Sequence, residues 1–260
     1  MAVVQSASQK ILVERRGPAA RLVINRPPLN ILDLASLPEL RRALSTALDD
    51  PGVHLVEFTG AGERAFCAGT DIRDHTPERA PEMLREFHGL IREVLGARCP
   101  TVAIVRGHCL GGGMELAIAC DFILAASSAR FAQPEIKVGA IPPVAAVLLP
   151  KLIPEKKALE MILTGEPISG EEALRLGLVN RAVPDAALEE EARQFSGQLL
   201  KQSPAIVGLA RKTARLESRQ AFEEALRETE RIYLEELVHT EDASEGIQAF
   251  LEKRTPKWKA

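Results

Sequence analysis

The sequence has little cysteine, and its four cysteines form no C-x-x-C pair. They are Cys67, Cys99, Cys109 and Cys120. This spacing encodes neither a zinc knuckle nor a disulfide framework. The first ten residues contain no apolar segment of the signal-peptide kind. A reducing cytosol suits such a chain, so we expect a cytoplasmic protein.

Long runs of basic residues and long runs of apolar residues are also missing. The formal net charge is −3, and lysine and arginine never form a run longer than three residues. This excludes a nucleic-acid binder, which needs a basic face to neutralise phosphates. The most apolar stretch, 138–152, is too short to span a membrane and is interrupted by three prolines. The five histidines show no metal-ligand spacing, so we expect no metal site.

What remains is typical of a globular enzyme. The chain has 260 residues, of which 46% are apolar and 27% charged. A chain of this size buries a substantial core without metals or disulfides, as one large or two small domains.

Segments of strand and helix period alternate through the first two thirds of the chain. They predict an α/β fold with parallel strands, stacked as a spiral, that opens with a hairpin. Ser36 and Glu39 suggest a capping box at the first helix, and 60–74 is expected to be an irregular loop. The predicted strands are 11–13, 21–25, 53–59, 101–105 and 122–125, and the helices begin near residues 36, 83 and 112.

From Pro184 onward helical patterns dominate. One helical face carries Phe222, Leu226, Tyr233 and Leu237. This face is larger than one helix normally needs, so it serves either docking and oligomerisation or packing on the chain's own body.

A glycine-rich turn is the first candidate for chemistry. Gly111, Gly112 and Gly113 lie between an apolar strand and a helix. A glycine-rich helix N-terminus can hold a phosphate, a carboxylate or a developing oxyanion on its unpaired N–H groups. The spacing is not that of a dinucleotide fingerprint, a P-loop or a nucleophile elbow. The alternative is that these glycines only allow tight strand–helix packing.

Two glutamates in apolar surroundings are the second candidate. Glu115 lies one turn into the same helix, and Glu135 follows twenty positions later. Two carboxyl groups in one water-excluding pocket separate in pKa and provide one acid and one base. The alternative is that each is salt-bridged or exposed.

Five motifs in this order resemble the crotonase superfamily, the enoyl-CoA hydratase/isomerase group. They are Asn25-Arg26-Pro27 with Leu29-Asn30, Ala68-Gly69-Thr70-Asp71, Gly111 to Ala117 with Cys120-Asp121, Gln133-Pro134-Glu135, and Ala249 to Arg254. The resemblance implies a spiral of ββα units over residues 1–195 and a helical oligomerisation region over 196–260. It also implies a homotrimer or dimer of trimers that binds acyl-coenzyme A thioesters, with coenzyme A as part of the substrate and no separate cofactor.

The resemblance also implies roles for single residues. The N–H groups of Thr70 and Gly112 would form the oxyanion hole, and Glu115 and Glu135 the acid/base pair, with the assignment of acid and base open. The implied contacts to coenzyme A are Arg26, Ala68, Asp71, Ile72, Phe250 and Lys253, of which the last two would reach a site in an adjacent subunit.

Two carboxylates favour a hydratase or dehydratase over a double-bond isomerase, because isomerases of this group generally need one. Where related hydratases carry glycines, this chain has Pro142, Pro143 and Val144, which we expect to stiffen a loop and line the acyl pocket. The acyl group is then branched, carboxylated (methylglutaconyl-type) or cyclic dienoyl. A non-catalytic acyl-CoA-binding protein on the same fold and a nucleotide-binding module built on the glycine-rich turn are the competing hypotheses.

Overall fold

The computed structural model describes residues 9–259, whose strands form two sheets. The strands are β1 Ile11–Arg16, β2 Ala19–Ile24, β3 Leu55–Gly60, β4 Ala65–Cys67, β5 Thr101–Val105, β6 His108–Leu110, β7 Phe122–Ala126, β8 Arg130–Ala132, β9 Ile168–Ser169 and β10 Arg181–Val183. The helices are α1 Ser36–Asp49, α2 Ala80–Leu95, α3 Gly112–Ala119, α4 Pro143–Leu152, α5 Glu155–Thr164, α6 Gly170–Arg175, α7 Leu188–Leu200, α8 Pro204–Ala214, α9 Leu216–Arg231 and α10 Glu241–Glu252.

The larger sheet has the order β1-β2-β3-β5-β7-β10, and all of its pairs except β1–β2 are parallel. The smaller sheet has the order β4-β6-β8-β9, in which only β9 runs antiparallel to its neighbour. The apolar strands of the larger sheet are almost fully buried, as expected of parallel strands covered on both faces.

One unit is repeated three times along the chain. A strand of the larger sheet is followed by a strand of the smaller sheet and then by a helix, as β3–β4–α2, β5–β6–α3 and β7–β8–α4. Successive units lie side by side in both sheets, so the chain climbs as a spiral. The predicted α/β spiral of ββα units is confirmed.

The structure corrects two local predictions. The segment 60–74 contains β4, which pairs with β6 and is therefore part of the smaller sheet. The capping box at Ser36 is wrong, because Ser36 is already the first residue of α1. The Asp33 side chain instead accepts hydrogen bonds from the N–H groups of Ala35 and Ser36, at 3.2 and 2.7 Å.

The C-terminal helices pack on the chain's own body. Phe222, Leu226 and Tyr233 are at most 1% exposed. The hydroxyl of Thr229 on α9 donates to the carbonyl of Pro143 at the start of α4, at 3.5 Å. Of the two interpretations of this face, packing within the chain is therefore the one observed.

Other parts of the helical region stay open to solvent. Ile206 and Leu209 on α8 are more than 60% exposed. The predicted domain boundary at residue 195 lies inside α7. None of the helices in residues 9–259 combines the length and the hydropathy that crossing a membrane requires.

Candidate active site

The glycine-rich turn holds α3 against the segment that follows β4. A Cβ on Gly113 would lie 2.1 Å from the carbonyl oxygen of Cys67, so no other residue fits there without movement of the backbone. Gly111 has φ +51°, and a Cβ on it would lie 2.7 Å from Oε1 of Glu135. These glycines therefore serve close packing and also bring the start of α3 to the second glutamate.

Two backbone N–H groups meet at this crossing. A Cβ placed on Gly69 would lie 3.4 Å from the nitrogen of Gly112, which shows how closely the segment ending at Thr70 approaches the first turn of α3. Within residues 9–259 the N–H groups of Thr70 and Gly112 donate no hydrogen bond. One of them lies at a helix N-terminus, where the dipole favours negative charge, so the pair is suited to an oxyanion.

Glu115 takes the place of a capping side chain for another helix. Its side chain points from the first turn of α3, and the residue is 3% exposed. Its Oε1 accepts hydrogen bonds of 2.8 Å from the N–H groups of both Val144 and Ala145. Those N–H groups belong to the first turn of α4, which has no side-chain cap of its own at Pro142.

Glu135 is buried with fewer donors. It lies in a 3-10 turn, Pro134–Val138, and is 9% exposed. The fully buried Gln133 places its amide nitrogen 3.1 Å from both carboxylate oxygens, in the amide orientation that satisfies both groups. In the described part of the chain neither Glu115 nor Glu135 forms a salt bridge, so the salt-bridged and exposed interpretations do not hold for these two residues.

The surroundings of the two carboxyl groups give them different pKa values. Burial raises the pKa of Glu115 to about 7, although the hydrogen bonds from Ala145 and Val144 oppose that shift. Burial and the negative charge of Glu115 raise the pKa of Glu135 well above its ordinary value. The structure therefore places the two carboxyl groups within electrostatic reach of each other. The two shifts separate the pair, and Glu115 is the first of the two to ionise as the pH rises.

A chain of polar side chains that sequence reasoning missed leads from Thr70 to the C-terminal region. Oγ1 of Thr70 lies 2.8 Å from Nε2 of His75, and Nδ1 of His75 lies 2.6 Å from the hydroxyl of Tyr233. Burial and the charges of Glu135 and Glu115 raise the pKa of Tyr233, so its ring lies near both carboxylates. The available signal was a single tyrosine on an apolar helical face.

The three predicted acyl-pocket residues are buried, and the expected loop is shorter than the sequence suggested. It ends at Pro142, because Pro143 is the first residue of α4 and Val144 is in its first turn. Proline with its fixed φ is favourable at the first position of a helix. The same two prolines therefore fix the N–H groups that hold Glu115.

Four of the predicted coenzyme A contacts lie together. Arg26 and Asp71 line a cavity of about 470 Å³ together with Arg73. Nη2 of Arg26 forms an ion pair of 2.7 Å with Asp33. Asp71 caps the short turn that starts at Ile72, and the N–H of Ala68 donates to the carbonyl of Leu29 at 2.9 Å.

Phe250 and Lys253 lie elsewhere. Both are on the last helix or its end, Phe250 is 55% exposed, and Lys253 adopts a left-handed conformation as the C-cap of α10. Among residues 9–259 no hydrogen bond or ion pair joins them to the other predicted contacts. The roles given to all of these residues stay predictions.

Comparison with known proteins leads to the same family that the sequence motifs resemble. A sequence profile described as enoyl-CoA hydratase/isomerase matches residues 15–260. The chain is 37% identical over 256 residues to a cyclohexa-1,5-dienecarbonyl-CoA hydratase of Thauera aromatica, covering 97% of each chain. It is 38% identical over 259 residues to a carnitinyl-CoA dehydratase of Salmonella typhi, covering 97% of this chain and 99% of the other.

Solved structures of enzymes with such names are similar to this chain in fold. An enoyl-CoA hydratase from Mycobacterium avium subsp. paratuberculosis superimposes with a TM-score of 0.88 at 28% identity, over 97% of this chain and 99% of the other. A carnitinyl-CoA hydratase from Mycobacterium avium gives a TM-score of 0.84 at 36% identity, over the same shares of the two chains.

Proposed function

The chain belongs to the enoyl-CoA hydratase/isomerase family, and from that premise we propose that it adds water to the α,β double bond of an enoyl-CoA thioester, or removes it in the reverse direction. The observation that carries the proposal is the pair Glu115 and Glu135, buried together beside two backbone N–H groups without a partner in the described residues.

The two N–H groups supply the electrostatic stabilisation of the transition state. Addition of water to the β-carbon pushes electrons through the α-carbon onto the thioester oxygen, which gains enolate character. The N–H groups of Thr70 and Gly112 hold that oxygen, and each preorganised donor contributes about 3 kcal/mol of transition-state stabilisation. Because both donors belong to the main chain, the side chain at position 70 is not needed for this contact.

The hydrogen bonds to Glu115 support one assignment of the two proton-transfer roles. Two N–H donors stabilise the ionised form of Glu115. Glu135 has the amide of Gln133, and the negative charge of Glu115 disfavours its ionised form. Glu115 therefore acts as the base that takes a proton from water as its oxygen bonds to the β-carbon. Glu135 then gives its proton to the α-carbon, and dehydration is the same sequence reversed.

The presence of two buried carboxyl groups favours a hydratase over an isomerase. Moving a double bond returns to the substrate the proton that was taken from it, which one carboxyl group can do. Hydration needs a base for water and an acid for carbon at the same time. An isomerase would leave one of two buried carboxyl groups without a task, although burying each is unfavourable.

We further propose a cyclic or branched acyl group that carries no carboxylate. The described groups that contact the two carboxylates are the N–H groups of Val144 and Ala145 at Glu115 and the amide of Gln133 at Glu135. Within residues 9–259 no lysine, arginine or histidine forms an ion pair with either carboxylate. A carboxylated acyl group would bring a further negative charge close to the ionised Glu115. The relative from Thauera aromatica, named for a cyclic dienoyl substrate, supports the cyclic class.

The finer expectations belong to this proposal as well. We propose that Arg26, Ala68, Asp71 and Ile72 border the coenzyme A moiety. We also propose that the exposed apolar side chains of α8, including Ile206 and Leu209, are covered in a homotrimer or dimer of trimers in which Phe250 and Lys253 reach the adjacent site.

A substrate panel tests the function. Straight-chain enoyl-CoA, methylglutaconyl-CoA, cyclohexadienecarbonyl-CoA and carnitinyl-CoA would each be incubated with the enzyme and followed by mass for gain or loss of water. We expect turnover of the cyclic dienoyl thioester and little turnover of the carboxylated one. The double variant Glu115→Gln/Glu135→Gln is the control for enzyme dependence. A change of double-bond position without a change of mass would instead identify an isomerase.

A further inference from the structure

Three side chains outside the proposed proton transfers form a continuous hydrogen-bonded chain. Thr70 is bonded to His75 at 2.8 Å, and His75 to Tyr233 at 2.6 Å. Tyr233 is 1% exposed and lies in a short π-helical turn, Ile232–Glu236, that continues α9. The chain thus ties the C-terminal region to the residue whose N–H we assign to the oxyanion hole.

The orientation of Thr70 shows what this chain holds in place. The methyl carbon Cγ2 of Thr70 lies 3.3 Å from the position that a Cβ on Gly112 would take. Its hydroxyl points instead to His75. The apolar branch of the side chain therefore faces the second hole residue, and the polar branch faces away.

Rotation about χ1 would bring the hydroxyl to the present position of the methyl group, and the methyl group to that of the Cβ hydrogen. Staggered positions are separated by about 120°, so the hydroxyl would replace the methyl group beside Gly112 in another rotamer. A hydroxyl oxygen there can accept a hydrogen bond from the N–H of Gly112, in competition with the substrate oxygen. The bond to His75 is the interaction that favours the observed rotamer.

We propose that His75, oriented by Tyr233, is a positioning residue that keeps the Thr70 hydroxyl out of the oxyanion hole. The inference rests on the proposed function only in assigning the hole to Thr70 and Gly112. Neither His75 nor Tyr233 exchanges a proton with the substrate in this role.

The chain suits this role because it needs no charge. Burial outweighs the influence of Asp74 and Asp71 on the imidazole, so His75 is neutral, with one ring nitrogen as donor and the other as acceptor. The hydroxyls of Thr70 and Tyr233 can each donate or accept, and either tautomer therefore satisfies both hydrogen bonds. Burial, together with the charges of Glu135 and Glu115, raises the pKa of the Tyr233 hydroxyl, so Tyr233 also stays neutral.

A double-mutant cycle tests the proposal. His75→Phe removes both ring nitrogens, and we expect it to lower kcat/KM at least about 10-fold through kcat, since loss of one hole donor costs about 10²-fold or more. In a Thr70→Val background there is no hydroxyl to enter the hole, so the same change should cost less than about 2-fold. An equal loss in both backgrounds would mean a merely structural role and would overturn the proposal.

A spectroscopic readout separates this inference from the proposed reaction. The carbonyl stretch of bound cyclohexanecarbonyl-CoA, which has no double bond to hydrate, reports polarisation by the hole in a Raman difference spectrum. We expect His75→Phe to shift the band toward its free value and Thr70→Val/His75→Phe to restore it. Failure of the wild-type enzyme to hydrate any thioester, with this pattern intact, would count against the function alone.

Tyr233→Phe provides a second variant should His75→Phe fail to fold. It removes only the hydroxyl that orients the imidazole. We expect a smaller fall in kcat, in the same direction, that again disappears in the Thr70→Val background. Thermal melting of all variants establishes that each is folded under assay conditions, and a fall that persists with Val at position 70 would contradict the proposal.

Discussion

The carboxylate of Glu115 accepts a 2.8 Å hydrogen bond from the N–H of Val144, and the neighbouring Ala145 donates to the same oxygen. A side chain of one helix therefore satisfies the first turn of another. The contact stabilises α4, and it also favours the ionised form of the group that we propose as the base. Stability and catalysis can be separated here by the choice of substitution.

We expect Glu115→Gln and Glu115→Ala to differ in stability although both lose activity. Gln keeps an oxygen that can accept from the two N–H groups, whereas Ala leaves them buried without an acceptor. The free energy of unfolding should therefore fall by about 1–3 kcal/mol more for Ala than for Gln. Denaturant titration measures the difference, and hydration should fall about 10²-fold or more in both. Equal stability of the two variants would show that the contact is unimportant for α4.

We expect a protonated carboxyl group at pH 7 in the resting enzyme. Burial and the charge of Glu115 raise the pKa of Glu135 well above its ordinary value, so Glu135 keeps its proton. The infrared band of the neutral acid should be present in the wild type and clearly weaker in Glu135→Gln, where only the protonated fraction of Glu115, whose pKa is about 7, remains. Glu228→Gln is the control, because Arg231 lowers the pKa of that exposed group. A band of undiminished intensity in Glu135→Gln would place the proton on another residue.

The stability of the protein should depend on pH through the same pair. The pKa of a buried carboxyl group is higher folded than unfolded, so its contribution to stability is fully present below the unfolded value, 4.5 for both groups. That contribution is lost as pH rises through the folded values, which begin at about 7 for Glu115. Glu135→Gln removes one carboxylate, and its melting temperature should exceed that of the wild type at pH 8 by about 2–5 °C and approach it at pH 5. The opposite order at pH 8 would contradict the assigned shifts.

Gly113 should tolerate no side chain. Its Cβ would lie 2.1 Å from the backbone carbonyl of Cys67, and the atoms it meets cannot move aside. We expect Gly113→Ala to lower the free energy of unfolding by about 3 kcal/mol or more and to abolish hydration. Gly197→Ala is the matched control: this glycine lies within α7 with no atom near the added Cβ, and alanine there should stabilise by about 0.5–1 kcal/mol. Similar behaviour of the two variants would mean that the crossing at Cys67 can relax.

Local patterns predicted the elements that are long or strongly marked. The strand at Thr101–Val105 has the bounds expected from its apolar residues, and the helix at Gly112–Ala119 begins where its glycines predicted. The strands β4, β6 and β8 were missed because each has three residues, too few for an alternation to appear. Their pairing depends on the spiral as a whole.

The candidate site was predicted only where its residues lie in sequence motifs. Glu115 and Glu135 are marked by apolar neighbours and by resemblance to a family. The bond between His75 and Tyr233 joins residues 158 positions apart, and nothing near either residue announces the other. The donors to Glu115 were missed for a different reason: two prolines indicated a loop where the chain instead begins α4.

The hydrogen bonds between Glu115 and the first turn of α4 also limit how this enzyme can be altered. Pro143 and Val144 are proposed to touch the acyl group, and the N–H groups of Val144 and Ala145 lower the pKa of Glu115, the group that we propose as the base. An engineer who exchanges these side chains to admit another substrate would also retune the basicity of Glu115 whenever the helix start moves. The selectivity for the acyl group and the pKa of Glu115 therefore depend on the same turn. Changing one of them alone requires substitutions that keep the main chain of this turn in place.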